Sequence, residues 1–186
     1  MAKRGRPTAD ERALRRERIL DAVVAQFSAR GLGATSLDEV ASTAGVTKRT
    51  LYVDFGDKAA LLAAAVEREH DRIRAVATDA GSLLDVATEM VVVLHSDSAV
   101  ALHRSVIAEA PRFPELARDF YETGPQHSID LLARYLTGDG APARAEALYS
   151  LLLGEPHRLR LLGLTPAPSR TWATSHAARA LELLTA

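Results

Sequence analysis

Apolar residues along the chain recur every three or four positions, and the alternation of apolar and polar residues that marks strands is almost absent. The first helical stretch runs from Ile19 to Phe27, and Gly31 is the expected end of its helix. A longer helix is predicted from Lys58 to about residue 78. The pattern predicts an all-α protein.

Two short helices are predicted between these longer ones. Ser36 followed by Glu39 fits a capping box, whose side chains bond the free amides of a first helical turn, and Gly45 closes this helix. Thr47 is the next expected N-cap, and its helix runs through Val53. Two short helices on either side of a turn that contains glycine are typical of a helix-turn-helix.

The rest of the chain predicts further helices separated by breaks rich in glycine and proline. Their expected bounds are 82–96, 99–110, 114–123, 125–137, 142–162 and 169–184. Pro156 lies inside the fifth of these, close to Gly154. Proline inside a helix removes a hydrogen bond and clashes with the preceding turn, so we expect a kink or break near Gly154.

Charge divides the chain, although the net charge of its 186 residues is only −1. Residues 1–50 hold ten Lys and Arg against six Asp and Glu, whereas residues 51–186 hold thirteen against eighteen. A basic head on an acidic body suggests that only the head meets a polyanion. Apolar runs such as 90–94 are far shorter than the roughly 20 residues that span a bilayer. We therefore expect a cytoplasmic protein with no membrane partner.

Metal, cofactor and catalytic sites are not predicted. The chain has no cysteine, which excludes thiolate metal sites and disulfides. Glu67 and His70 share a helix face, but a third ligand is missing and no two histidines are spaced four apart. The G-x-S-x-G elbow of hydrolases is also missing. We expect no metal, no cofactor and no enzymatic activity.

The segment VTKRTLYVDF, residues 46–55, gives the predicted helix-turn-helix its chemistry. Four of its apolar residues are expected in the core: Val46, Leu51, Val53 and Phe55. Once these lock the second helix, its polar and cationic residues must protrude: Lys48, Arg49, Thr50 and Tyr52. A helix with this outward face fits the major groove of B-DNA.

The stretch from Ile19 to Ala65 resembles the N-terminal DNA-binding domain of TetR-type transcriptional repressors. The matching pieces include Ala44-Gly45-Val46, Thr50-Leu51-Tyr52, Phe55 and Lys58-x-x-Leu61. Residues 103–116 are similar to the regulatory domain of one branch of that family. The resemblance implies a flexible basic arm (1–12), a helix-turn-helix DNA-binding domain (13–57) and a helical regulatory and dimerisation domain (58–186).

The resemblance also implies DNA contacts. Arg49 falls where many relatives have a small residue, and it is suited to pair with guanine O6 and N7. Arg4 and Arg6 form an extended Arg-Gly-Arg that either enters an A·T-rich minor groove or remains a solvated tail. Asp54 departs from the family pattern, since a carboxylate repels phosphate, so it turns away or this backbone contact is missing. The implied DNA-binding residues are Arg4, Arg6, Thr35, Ser36, Thr47, Lys48, Arg49, Thr50, Tyr52 and Lys58.

Two further surfaces follow from the resemblance. An effector pocket in the C-terminal helices is expected to be lined by aromatic side chains, which alternatively fill the core. The candidate pocket residues are His103, Phe113, Phe120, Tyr121 and Trp172. Helices 142–162 and 169–184 match the pair that forms a four-helix interface with a second chain. The implied dimer residues are Leu148, Leu151, Leu152, Leu159, Leu162, Trp172, Leu181 and Leu184.

The resemblance implies a homodimeric repressor that binds a palindromic double-stranded DNA operator and is released by an unidentified small-molecule effector. One alternative is a regulator of the same fold that answers to a protein partner or to no effector. Another is a helical small-molecule-binding protein or enzyme with a vestigial helix-turn-helix. A C-terminal core without a cavity of several hundred cubic ångströms favours the first alternative. The residues do not encode the effector, the operator or the target genes.

Overall fold

The computed structural model describes residues 8–79 and 81–185, and the regular structure in these residues is entirely helical. The predicted all-α fold class is confirmed. The described residues form two compact units, which divide between Ala65 and Val66. Over the described ranges, no helix combines the length and apolar character needed to cross a membrane.

The first unit contains α1 (Ala9–Ala34), α2 (Leu37–Ala44), α3 (Lys48–Phe55) and the start of α4 (Lys58–Asp79). Helix α2 packs against both α1 and α3. The apolar face of each helix is turned inward, which places these residues among the buried ones: Ile19, Leu20, Val23, Phe27, Val40, Ala41, Leu51, Leu61 and Leu62.

Helix α1 is longer at both ends than predicted. It begins at Ala9, because the Thr8 amide donates to the Glu11 carboxylate at 2.8 Å and the Glu11 amide donates to the Thr8 hydroxyl at 3.2 Å. This is a capping box, so residues 9–12 are helical instead of part of an arm. Gly31 does not end the helix, which continues to Ala34. Near that end, Lys58 Nζ donates to the carbonyl oxygen of Gly33 at 3.2 Å.

The second unit continues α4 and adds six helices, which bury a core of apolar side chains. These are α5 (Leu83–Leu94), α6 (Asp97–Glu109), α7 (Pro114–Tyr121), α8 (His127–Ala133), α9 (Ala141–Leu161) and α10 (Arg170–Thr185). Helix α10 packs on α5 and α9, and α8 packs on α9. A π-helical turn, Glu122–Gln126, joins α7 to α8 where a break was predicted at Gly124 and Pro125.

The break expected in α9 is present. Gly154 has φ 49° and ψ −152°, which is not helical, and a residue with a Cβ rarely adopts this φ. Pro156 has no amide hydrogen to give to the carbonyl of Leu152 one turn earlier. Two imidazoles take its place, since Nε2 of His95 lies 3.1 Å and Nε2 of His176 lies 3.0 Å from that carbonyl oxygen.

Candidate nucleic-acid interface

The turn between α2 and α3 has the geometry of a helix-turn-helix. Gly45 ends α2 in the left-handed region, with φ 65° and ψ 36°. A side chain at this φ is strained, so glycine is the residue suited to the position. The amide of Val46 donates to the carbonyl of Ala41 at 2.9 Å and closes the turn. Leu51 is 0% exposed, which locks the orientation of α3 within the first unit.

Two of the predicted DNA-binding threonines lie at the start of α3. Thr47 is the N-cap, as predicted, and its hydroxyl accepts a hydrogen bond from the Thr50 amide at 3.2 Å. The hydroxyls of Thr47 and Thr50 are also 2.9 Å apart. These contacts orient both hydroxyls along the first turn of α3.

Lys48 begins α3 with an exposed side chain whose ammonium group lies 2.9 Å from a carboxylate oxygen of Asp38 in α2. The hydrogen bond and the charge of Asp38 raise the pKa of Lys48 above its ordinary value. The lysine is therefore cationic at neutral pH, but it already has an anionic partner. A phosphate must compete with Asp38 for this group.

Arg49 and Tyr52 face outward without such restraint. Both side chains are exposed, Tyr52 by 50%. The guanidinium of Arg49 forms no ion pair with residues 8–79 or 81–185. Its five N–H donors are thus available to a ligand.

Asp54 turns away from the outward face. Arg15 of α1 binds it through Nε at 3.1 Å and through Nη2 at 3.0 Å, and each side chain is 24% exposed. A bidentate, half-buried pair of this kind links α1 to α3 and neutralises the carboxylate. Beside it, the guanidinium of Arg16 lies 4.6 Å from the ring centre of Phe55. Of the two possibilities that the sequence leaves for Asp54, the structure has the carboxylate turned away.

The remaining predicted DNA-binding residues have different environments. Thr35 is only 5% exposed, so the prediction that its hydroxyl meets DNA is wrong: the chain entering α2 packs this side chain inward. Ser36 is half-buried, and its hydroxyl caps α2 by accepting from the Asp38 amide at 3.2 Å. Arg30, not Ser36, pairs with Glu39, at 2.8 Å, so the predicted capping box forms on one side only. Arg4 and Arg6 lie outside the described residues.

Val53 is the outward-facing residue that the sequence-based prediction misses. The apolar pattern of residues 46–55 predicts that Val53 lies in the core, yet its side chain is 75% exposed. The helical period itself carries the signal, because a residue two positions after the buried Leu51 lies about 200° around the helix. An apolar residue on that side of α3 cannot reach the core of the first unit.

The second unit contains a small cavity of about 40 Å³, which has room for only a few water molecules. Most of its lining is apolar, and three imidazoles also line it, those of His70, His103 and His157. Glu69 lines it as well, with its carboxylate paired to Arg72 at 2.9 Å. Burial lowers the pKa of His70 and of His157 to about 4, and it also lowers the pKa of His103. The three rings are therefore neutral at pH 7.

The five residues predicted for one pocket do not meet in one place. His103 and Phe120 line the cavity, with ring centres 5.1 Å apart. Tyr121 is 53% exposed, since it lies about 100° around α7 from the inward-facing Phe120. The guanidinium carbon of Arg112 lies over the ring of Phe113, 5.1 Å from the centre of that ring. Trp172 lines a separate surface recess of about 450 Å³ and stacks on His176. The single predicted pocket is wrong for these last three residues.

Two residues predicted at the dimer interface are also misplaced. Leu148 and Leu152 are 0% exposed in a single chain, because α5 and α10 already cover this face of α9. They have no surface left for a second chain. Leu162 is 66% and Trp172 38% exposed. The remaining predicted residues are half-buried: Leu151, Leu159, Leu181 and Leu184.

A helix-turn-helix whose second helix presents cationic side chains is typical of one class of proteins, those that bind DNA. Residues 19–65 match the family described as bacterial regulatory proteins, tetR family. Residues 81–186 match the C-terminal domain of AefR-like transcriptional repressors, which is more than half of the chain. The chain therefore belongs to the TetR family of bacterial transcriptional regulators.

Individual relatives agree with this assignment. The HTH-type transcriptional regulator AcrR of Shigella flexneri is 38% identical over 68 residues, or 37% of this chain and 32% of AcrR. The match thus spans about a third of that relative's length. A Mesorhizobium loti protein assigned to the TetR family is 28% identical, with a TM-score of 0.79 over 96% of this chain and 97% of that one. The flavonoid-responsive regulator FrrA is 29% identical, with a TM-score of 0.66 over 92% and 95%.

Proposed function

We propose that this chain is a sequence-specific transcriptional repressor that acts as a homodimer on a palindromic operator in the cytoplasm, and that it is not an enzyme. The observation that carries the proposal is the outward face of α3. The buried Leu51 prevents this face from turning inward, and Arg49 on it has no partner within the described residues. Two such helices enter successive major grooves when they are roughly 34–36 Å apart.

Titration of the protein against labelled DNA at rising salt concentration tests this function. Phosphate contacts release counterions, so affinity for any duplex should fall steeply with salt. A repressor should in addition prefer its own promoter region to random DNA at every salt concentration. Equal affinity for both duplexes, or no binding to either, would favour the alternative in which the helix-turn-helix is vestigial.

Arg49 and Lys58 should differ in how their loss changes DNA binding. Arg49→Ala removes a base contact and should relax the preference at one operator position by about 1–3 kcal/mol. Lys58→Ala should weaken binding to all sequences about equally, because its ammonium contacts phosphate near the start of α4. Selection from random-sequence DNA with each variant measures this difference. Identical behaviour of the two variants would refute the division into a base reader and a phosphate contact.

Asp38 should act as a competitor of the phosphate for Lys48. Asp38→Asn removes the carboxylate 2.9 Å from the ammonium of Lys48, so operator affinity at low salt should rise about two- to fivefold. The backbone amide of residue 38, which donates to the Ser36 hydroxyl at the N-cap of α2, stays in place. In a Lys48→Ala background the gain should be smaller, since no lysine is left to be freed. An equal gain in both backgrounds would mean that Asp38 acts only through general repulsion.

For control of the repressor, we propose an uncharged aromatic effector that enters the second unit by opening its cavity. The neutral imidazoles and the largely apolar lining suit such a compound, since the carboxylate of Glu69 in that lining is already paired with Arg72. The relative FrrA is named as flavonoid-responsive. A coupling of about 1–3 kcal/mol would lower operator affinity roughly 5- to 150-fold.

A regulator without a small-molecule effector is a second candidate. It is favoured by the size of the cavity, about 40 Å³, because effector sites usually measure several hundred cubic ångströms. Fluorescence anisotropy of the operator complex during titration with uncharged aromatics, a flavonoid among them, separates the two. Release by any member of the panel supports the effector, whereas retention by all members supports the second candidate.

A further inference from the structure

The outermost ridge of α3 is formed by two residues. Successive residues of an α-helix are rotated by about 100°, so Arg49 and Val53 each lie about 160° from the buried Leu51, one on either side. They are therefore the residues of α3 farthest from the core of the first unit. Both are exposed, Val53 by 75%. They are separated by about 6 Å along the helix axis.

Val53 differs from the other residues on this face, because it offers only methyl groups. Its branched side chain has essentially one χ1 rotamer in a helix, so these methyl groups are held in one place. The neighbouring carboxylate of Asp54 is bound by Arg15 and does not project beside it. Lys48 and Arg49 provide positive charge on the same exposed surface.

We infer that Val53 is a specificity-determining residue that contacts the 5-methyl group of a thymine in the operator. The inference rests on the proposed repressor function. Among the base edges in the major groove, only thymine presents an apolar group, and an aliphatic side chain complements it. A polar base edge facing Val53 would lose its hydrogen bonds to water without gaining a partner.

The spacing on α3 also constrains where this thymine lies. Base pairs are stacked about 3.4 Å apart, and the two ridge residues are about 6 Å apart along the helix. The thymine should therefore lie within about two base pairs of the guanine that Arg49 contacts. In a palindromic operator the same pair should occur once in each half-site.

The test uses a duplex that the full-length wild-type protein selects from random-sequence DNA. Each thymine of one half-site is replaced in turn by deoxyuridine, which removes only the methyl group. At one position, wild-type affinity should fall about three- to fivefold, the value of one buried methyl group. Val53→Ala should bind the thymine and uracil duplexes equally at that position, whereas Val53→Ile should keep the difference. Circular dichroism checks that each variant folds, as expected for a side chain that is 75% exposed.

The outcomes separate this inference from the function on which it rests. Specific binding by the wild type, with the same response to every uracil in wild type and Val53→Ala, overturns the role of Val53 and leaves the repressor function standing. Absence of any selected sequence overturns both. A response at a single position that disappears in Val53→Ala and persists in Val53→Ile establishes the contact.

Discussion

At pH 5.5 the free energy of unfolding should be about 3 kcal/mol lower than at pH 7.5, because three buried histidines resist protonation in the folded protein. Burial is the main cause that lowers the pKa of His70, His95 and His157 to about 4. For His95 and His157, the nearby charge of Arg160 acts in the same direction.

The sign follows from proton uptake. Unfolded histidine has a pKa near 6.5, so the unfolded chain takes up protons as the pH falls below that value, whereas the folded chain takes them up only near pH 4. Stability is therefore fully present above pH 6.5 and is lost between pH 6.5 and 4, by roughly 1 kcal/mol per histidine at pH 5.5.

Urea unfolding at the two pH values measures this loss. His157→Gln should reduce the difference between pH 7.5 and pH 5.5 by about one third, whatever it does to stability at pH 7.5. A variant that retains the full pH difference would show that His157 does not contribute. Unfolding free energies that agree at both pH values in the wild type would contradict the prediction as a whole.

Gly124→Ala should destabilise the second unit by about 1–3 kcal/mol. Gly124 is buried in the π-helical turn, and a Cβ there would overlap the ring of His70, with two ring carbons at only 2.7 and 2.9 Å. The ring has little freedom to yield. Its Nδ1 lies 3.0 Å from the Thr123 hydroxyl, which itself donates to the Asp119 carbonyl, so Nδ1 carries the hydrogen.

Urea unfolding of Gly124→Ala and of a matched control tests this contact. Gly33 is also a helical glycine, but a Cβ there meets nothing within 4 Å. Gly33→Ala should therefore leave stability unchanged or raise it by up to about 1 kcal/mol. His70→Ala in the Gly124→Ala background should recover part of the loss, as expected for residues in contact. Equal effects of the two glycine substitutions would show that the His70 contact is not the cause.

Local signals in the sequence predict much of the first unit. The αL glycine at position 45 and the N-cap at Thr47 lie where the sequence places them, because each depends on residues within one helical turn. The start of α1 at Ala9 can also be predicted from local sequence, since Thr8 and Glu11, three residues apart, form a capping box. The prediction that Val53 lies in the core is wrong although the sequence holds the signal, because the helical period already places this residue opposite the core.

The second unit was less predictable, because its functional geometry depends on which helices pack together. His70, His103 and His157 come from α4, α6 and α9, and no local pattern brings them to one cavity. The same holds for Leu148 and Leu152, which α5 and α10 cover. A leucine stripe on a helix predicts burial, but it does not specify whether the partner belongs to the same chain.

The amino-acid sequence by itself determined the helical content, the helix-turn-helix and the break in α9, because capping hydrogen bonds, glycine torsions and the missing amide of proline act over a few residues. Only the tertiary structure decided that Asp54 is held by Arg15, that Thr35 is buried, and that the cavity in the second unit is small. Those features depend on contacts between segments that are distant in sequence. Which segments come into contact is decided by how complete helix faces pack against one another.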